Sequence, residues 1–377
     1  MKKIILIYVV MMFGACTTSE KQFKSVSSSS INQTVTQEDL LSGEAILGAR
    51  VNPEDLPEDN ILALTEEMEI FLDKYVLSRV AEPYRARQLN RVLFDEEKFG
   101  MKYDVTKTFT ARGAFANKLG NCLAFSYLYS SFADMADISF EYQEVDVPLD
   151  WSPKDGNIEK AWRHINLRVK NGADAGAVFD IDEINSKQIL QSKTISLPHA
   201  LALYYSNIGA EKLISGNEKE AFLYFAKGLS LEPMESDLWV NLGVLYKQQD
   251  HYDFAKLAYE NALNINNESY SANANMANLY LTMGNKKKAQ FYSEMAEKSQ
   301  MANPNYQYRK AQIEYNKKRY RRALTHLDFA LDYGIAEASY TRLKDKIEKK
   351  KTGSQDLGLR PFRTIELFLG QTGPLVY

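Results

Sequence analysis

Trp239-Val240-Asn241-Leu242-Gly243-Val244-Leu245-Tyr246 is the stretch that decides how the second half of this chain folds. Its large apolar residues fall at helical spacing around Gly243, a pattern that lets one helix admit a neighbour at close range. The pattern repeats outward at a fixed step. Ala221, Ala255, Ala289 and Ala323 stand 34 residues apart, as do Gly209, Gly243, Ala277 and Ala311, and again Gly228, Ala262, Ala296 and Ala330. Small residues at such a period allow paired helices to approach, and large ones fill the holes between units, so each unit needs its neighbours.

A step of 34 is the tetratricopeptide period, and Trp239 to Tyr246, followed by Ala255, Tyr259 and Ala262, resembles that consensus at nearly every signature position. The expectation is an all-α tetratricopeptide-repeat solenoid over residues 196–350, with about four repeats and a charged capping helix from Tyr340 to Lys350. The first repeat departs from the pattern at Lys212 and the fourth at Gln307, Lys310 and Glu314, as outer repeats do. His199, His251 and His326 fall at or inside repeat units and are expected to be structural. Asn207, Asn241 and Asn275 recur at the same step, with Arg309 in the fourth place. Such an amide ladder on the inner helices suits a peptide backbone; the plainer reading is that Asn is common at that consensus position. The resemblance implies a protein or peptide partner in the groove.

The first half turns on Gly120-Asn121-Cys122-Leu123-Ala124-Phe125-Ser126, which sets a cysteine at the start of an apolar helical run. The chain holds two cysteines, and the other, Cys16, sits where an N-terminal signal would consume it, which would leave Cys122 without a disulfide partner. A helix start favours the reactive thiolate through its free N–H groups and positive dipole end. That helix is expected to bury Leu123, Tyr127, Leu128, Phe132 and Met135 on one side, with Gly120 breaking it from a helix over Thr110 to Leu119. Upstream, Thr65 caps a helix carrying Met68, Phe71, Leu72 and Tyr75, and another runs from about Pro83 to Phe94. Strand character begins over Ile138 to Val147, and Pro148 to Trp162 is expected to be a loop. Ile165, Leu167 and Val169 alternate with His164, Asn166, Arg168 and Lys170, and Phe179 and Ile181 alternate with Asp180 and Asp182. A hairpin about Asn171 to Asp174 brings His164 near either aspartate.

A cysteine opening a helix, then a histidine and a carboxylate on successive strands, resembles the transglutaminase-like superfamily of papain-type thiol proteins over roughly residues 60–185. The resemblance implies an α+β papain-like or transglutaminase-like domain, assigned to residues 46–195, with a catalytic triad of Cys122, His164 and Asp180. Asp180 is preferred to Asp182 by family alignment. The boundary near Leu197-Pro198 is expected to separate two folded parts.

Met1-Lys2-Lys3, the apolar run Ile4 to Phe13 and Gly14-Ala15-Cys16 resemble a bacterial lipoprotein signal, too short to span a bilayer. Residues 1–15 form that signal, and the resemblance implies lipidation of Cys16 and, with Thr17 following, an outer-membrane anchor facing the periplasm. Residues 16–45 are rich in Ser, Thr and Gln, the composition of a flexible tether. Residues 351–377 have no clear period and no assigned role.

At 377 residues the chain suits two or three domains, and 45% hydrophobic with 25% charged residues suits globular structure. A net charge of −3 gives no attraction to nucleic acid, and no His/Cys pair or carboxylate cluster has metal-ligand spacing. No cofactor is implied. Two functions remain from different classes: a thiol enzyme acting on amide bonds, and a non-catalytic protein-binding lipoprotein whose transglutaminase-like domain is retired. The absence of Cys-x-x-Cys sets a redox role well behind both.

Overall fold

A computed structural model describes residues 35–76, 78–145, 159–160, 164–170, 177–181, 192–332, 337–351 and 375–376. Cys16, Asp182, the turn about Asn171 to Asp174, most of the Pro148 to Trp162 segment and most of the tail lie outside the described residues. Among the described residues no helix is long and apolar enough to cross a membrane.

Chain order begins with two short helices, α1 (Gln37–Ser42) and α2 (Glu44–Leu47), then α3 (Glu66–Tyr75) and α4 (Glu82–Phe94). Thr65 caps α3 by accepting the Met68 amide at 3.4 Å. Strand β1 (Lys102–Tyr103) pairs in parallel with β2 (Leu119–Gly120), on either side of α5 (Ala111–Asn117), and α6 (Cys122–Met135) follows at once. Helix α5 ends at Lys118, which takes φ +50°, so the break expected at Gly120 comes earlier. Gly120 has another reason to be glycine: a Cβ there would sit 2.5 Å from the Ala124 Cβ, at the first turn of α6.

Helix α6 is buried continuously from Cys122 to Ala133, not along one side, while Met135 is exposed. A helix apolar all round is a central helix. It contacts α4 and α5 on the helical side, and β3 (Phe140–Val145) and β5 (His164–Val169) of the sheet. Phe71, Phe99, Phe115 and Phe132 interlock at ring distances of 5.0 to 6.0 Å on the helical side. The sheet adds β6 (Val178–Phe179) and β7 (Ser192–Ile195), in the order β6-β5-β3-β7, with every neighbour antiparallel. The first half is therefore α+β.

The second half is an all-helical solenoid. Four antiparallel pairs follow one another: α7 (Leu197–Ile214) with α8 (Glu218–Leu231), α9 (Ser236–Gln248) with α10 (Tyr252–Ile265), α11 (Tyr270–Thr282) with α12 (Lys286–Met301), and α13 (Pro304–Asn316) with α14 (Tyr320–Asp332). Helix α15 (Glu337–Lys351) caps them, with Leu343 and Ile347 buried against Ala323 and Leu327 of α14. Ala221, Ala255, Ala289 and Ala323 are all fully buried. At Gly209 and Gly243 a Cβ would come within 2.6 Å and 2.4 Å of the rings of Phe225 and Tyr259, so the partner helix packs against bare backbone. The atypical Gln307 is put to use: its Nε2 donates to Met301 O at 2.6 Å and its Oε1 meets His326 Nδ1 at 2.8 Å. The first helices α7, α9 and α11 lie closer to one another than the second helices do, which makes theirs the inner face. Strand β8 (Leu375–Val376) lies against α9 and α11 and pairs in parallel with β4 (Glu159–Lys160).

Two expectations about boundaries are corrected. The tether does not extend to residue 45: Thr36 and Asp39 form a capping box for α1, Leu40 is fully buried in the core of the repeats, and Tyr246 Oη donates to Leu40 O at 2.5 Å. Nor is Leu197-Pro198 a clean boundary between the core around α6 and that of the repeats, because the helix that begins there serves both. Helix α7 sends Ala200, Leu203, Tyr204 and Tyr205 into the core around α6 and Ala202, Ala210 and Leu213 into that of the repeats. Tyr127 Oη of α6 donates to Ala200 O at 2.6 Å across that join. Period-based reading finds a repeat but not which side of its first helix is already occupied.

Candidate active site

Three segments converge at the N-terminal end of α6. Asn121 is the N-cap: its Oδ1 accepts the Ala124 amide at 3.0 Å, and its carbonyl accepts that of Phe125 at 3.0 Å. Cys122, the first helical residue, is 7% exposed. His164 opens β5 and Asp180 directly follows β6. The β5–β6 register, Leu167 opposite Phe179 and Arg168 opposite Val178, continues to place 180 across from 166, on the same strand face as 164.

His164 Nε2 lies 2.5 Å from Asp180 Oδ2, and both side chains are almost fully buried. With Nε2 so engaged, Nδ1 is the ring nitrogen left for the hydrogen bond between His164 and Cys122. Burial opposes charge on the ring, but hydrogen bonds to Asp180 and Cys122 and the charges of both outweigh it, pushing His164 up to about 10. The balance favours the charged, imidazolium form of the ring. Asn166, fully buried, donates to Asp180 Oδ2 at 3.5 Å, and its own Oδ1 finds no hydrogen-bond partner among the described residues.

Cys122, His164 and Asp180 are thus brought together from three elements. The face of β5 that bears His164 is buried at its start, His164 being 4% exposed and Asn166 fully buried, and opens towards Arg168. Phe179 and Ile181 are buried on the other side of the alternation, as the pattern required.

The ladder residues do not form four equivalent groove positions. Asn241 is fully buried and donates to Ser206 Oγ at 3.1 Å, and Asn275 is 2% exposed. Arg309 is half-buried. Asn207 turns towards the first half, donating to Thr108 Oγ1 at 3.3 Å. Thr108 Oγ1 also accepts from Asn121 Nδ2 at 2.9 Å. Thr108, Asn166 and the side-chain role of Asn121 escaped the sequence reading. Only Asn121 carried a signal, an amide residue just before an apolar helical run.

Comparison with known proteins bears on the repeats. Residues 236–269 match the tetratricopeptide repeat. The matched unit is the Trp239 to Tyr246 stretch with its partner helix, and the repeat points to protein binding. Solved structures similar to part of the chain include one described as the functional characterization of Pseudomonas aeruginosa pilF, at 19% identity, covering 39% of this chain and 68% of that one, with a TM-score of 0.25. MamA from Desulfovibrio magneticus is 16% identical over 40% of this chain and 92% of that one, with a TM-score of 0.25. The APC/C hetero-tetramer Cut9–Hcn1 is 18% identical over 40% and 30%, again with a TM-score of 0.25. At that score these likenesses carry no argument; the helix pairs themselves and the repeat match make the solenoid tetratricopeptide-like. No curated protein matches the chain.

Proposed function

We propose that this chain is an envelope-anchored thiol enzyme of transglutaminase-like type, cleaving or transferring amide bonds of a polypeptide that its repeat array helps to hold. The observation that carries the reading is the buried chain from Asp180 through His164 to Cys122, with 2.5 Å between His164 Nε2 and Asp180 Oδ2. The Cys122 thiolate attacks a carbonyl carbon, forming a C–S bond and an oxyanion. Amides at the start of α6 stabilise that charge. The oxyanion collapses, the C–N bond breaks, and the His164 imidazolium gives its proton to the leaving amine, leaving a thioester on Cys122 and a neutral ring. Water or a second amine then attacks, His164 takes the incoming proton, and the thiolate leaves. Asp180 holds the ring so that one nitrogen faces Cys122 throughout.

The inner face of the repeats suits an extended polypeptide, and Leu375–Val376 of this same chain lie along α9 and α11, the helices of Asn241 and Asn275. The Cys16 lipid anchor belongs to the same proposal and sets the enzyme on the outer membrane, facing the periplasm. The burial of Cys122 favours the alternative of a retired domain in a binding protein, since an inert thiol is also a buried one.

Complementation of a deletion strain separates the two readings. The enzyme requires Cys122→Ala to fail while the variant stays folded and expressed. Full rescue by Cys122→Ala, with loss of rescue on damage to residues 239–246, means a binding protein.

A further inference from the structure

Asn121 is held from both sides by one short segment. Its backbone N–H donates to Lys107 O at 2.9 Å and its Nδ2 to Thr108 Oγ1 at 2.9 Å, while its Oδ1 accepts the Ala124 amide. The Ala124 N–H fixes which end of the Asn121 side chain is oxygen, so the nitrogen must face Thr108. Thr108 Oγ1 takes a second donor, Asn207 Nδ2 at 3.3 Å, which spends both of its acceptor sites on amides from two different regions. Thr108 and Asn121 are 7% and 2% exposed, so neither can exchange these bonds for water without opening the join. On the neighbouring residue of α7, Ser206 Oγ accepts from Asn241 of the second repeat. Adjacent residues of α7 thus bond in two directions, Ser206 to α9 and Asn207 to the segment that holds the cap of the helix beginning with Cys122.

We propose that Asn207 and Thr108 are positioning residues that pass the placement of the repeat array to Asn121 and so regulate the reactivity of Cys122. The inference rests on the reading of Cys122 as a nucleophile. The cap orients the first turn of α6, whose N–H groups and positive dipole end face the thiolate and the oxyanion formed on attack. A partner on the inner helices that moved α7 would act on the cap through the Asn207–Thr108 and Thr108–Asn121 bonds. Position 207 departs from the ladder function expected of it because α7 is the helix shared by both cores.

The test is the rate of Cys122 alkylation by iodoacetamide at neutral pH, followed by intact mass in the full chain carrying Cys16→Ser so that Cys122 is the sole thiol. Loss of a cap is expected to slow alkylation about fivefold to tenfold in Asn121→Ala, and loss of one hydrogen bond about threefold to fivefold in Thr108→Val and Asn207→Ala. Thr108→Ser keeps the hydroxyl and should restore the wild-type rate. Thr108→Val with Asn207→Ala should be no slower than Thr108→Val alone, because both cut one chain. Variants that lower the melting temperature yet alkylate like the wild type, or a double variant whose effects simply multiply, overturn the coupling. A wild-type Cys122 that does not react overturns the thiol reading itself and is seen before any of these variants is compared.

Discussion

Helices of the repeat array pack on their neighbours in sequence, whereas the cluster at Cys122 joins residues from distant parts of the chain. Gly243 meets Tyr259 one helix later, but Thr108 binds Asn121 and Asn207, and Cys122 answers to His164 and Asp180. The array is held by shape: alanines and glycines let rings and leucines interlock, and its energy is spread over many contacts. The cluster is held by direction, a few polar groups whose bonds fix one geometry. Substitutions should therefore damage the array through stability and the cluster through chemistry.

The largest effects should fall on chemistry. Cys122→Ala should abolish turnover and His164→Ala should reduce it by about 10²–10⁴-fold, with Cys122→Ala melting close to the wild type because the side chain lost is small. Complementation beside a thermal melt checks both halves; a Cys122→Ala protein that fails only because it unfolds would erase the contrast. Next comes Trp239→Ala in the array, where a buried ring is lost at a cost of about 3–5 kcal/mol. Because α7 contributes to both cores, denaturant should unfold array and α+β region in one transition. Two separated transitions would mean that the regions are independent after all.

A smaller effect concerns pH. The folded His164 is lifted from its ordinary 6.5 to about 10, so its contribution to stability is fully present below about 6.5 and is lost as pH rises through about 10. Wild type compared with His164→Gln by urea unfolding should show a stability difference that shrinks across that window. A difference that is constant or grows with pH would contradict the charged ring. The smallest effect is expected at Asp182→Asn, which should leave Cys122 alkylation unchanged while Asp180→Asn slows it. The reverse result would exchange the two aspartates.

How much of this was legible in the sequence follows from the same contrast. A 34-residue step carries its own confirmation, since Ala221, Ala255, Ala289 and Ala323 declare a common environment, and all four are buried. The alternation around His164 and around Asp180 was equally local, but it left the register open between Asp180 and Asp182, which the pairing of Leu167 with Phe179 supplies. What was not legible was non-local. Nothing near Leu40 shows that Tyr246 will hold it, and the period that marks Asn207 as a ladder residue is silent about Thr108. Helical periodicity marks one apolar stripe on α6, whereas Ser126, Ser130 and Ser131 are buried too. Tyr127 O accepts from both Ser130 and Ser131, so their hydroxyls are satisfied within the helix.

The central claim is that His164 and the start of α6 activate Cys122 in spite of its burial. Its most direct test is iodoacetamide alkylation of the Cys16→Ser chain at neutral pH, folded and in urea, with and without His164→Ala. The account predicts that folded Cys122 reacts faster than the same thiol in the unfolded chain despite being only 7% exposed, and that His164→Ala removes the advantage. A folded thiol that reacts more slowly than the unfolded one, unchanged by His164→Ala, would make Cys122 a buried filler and contradict the account.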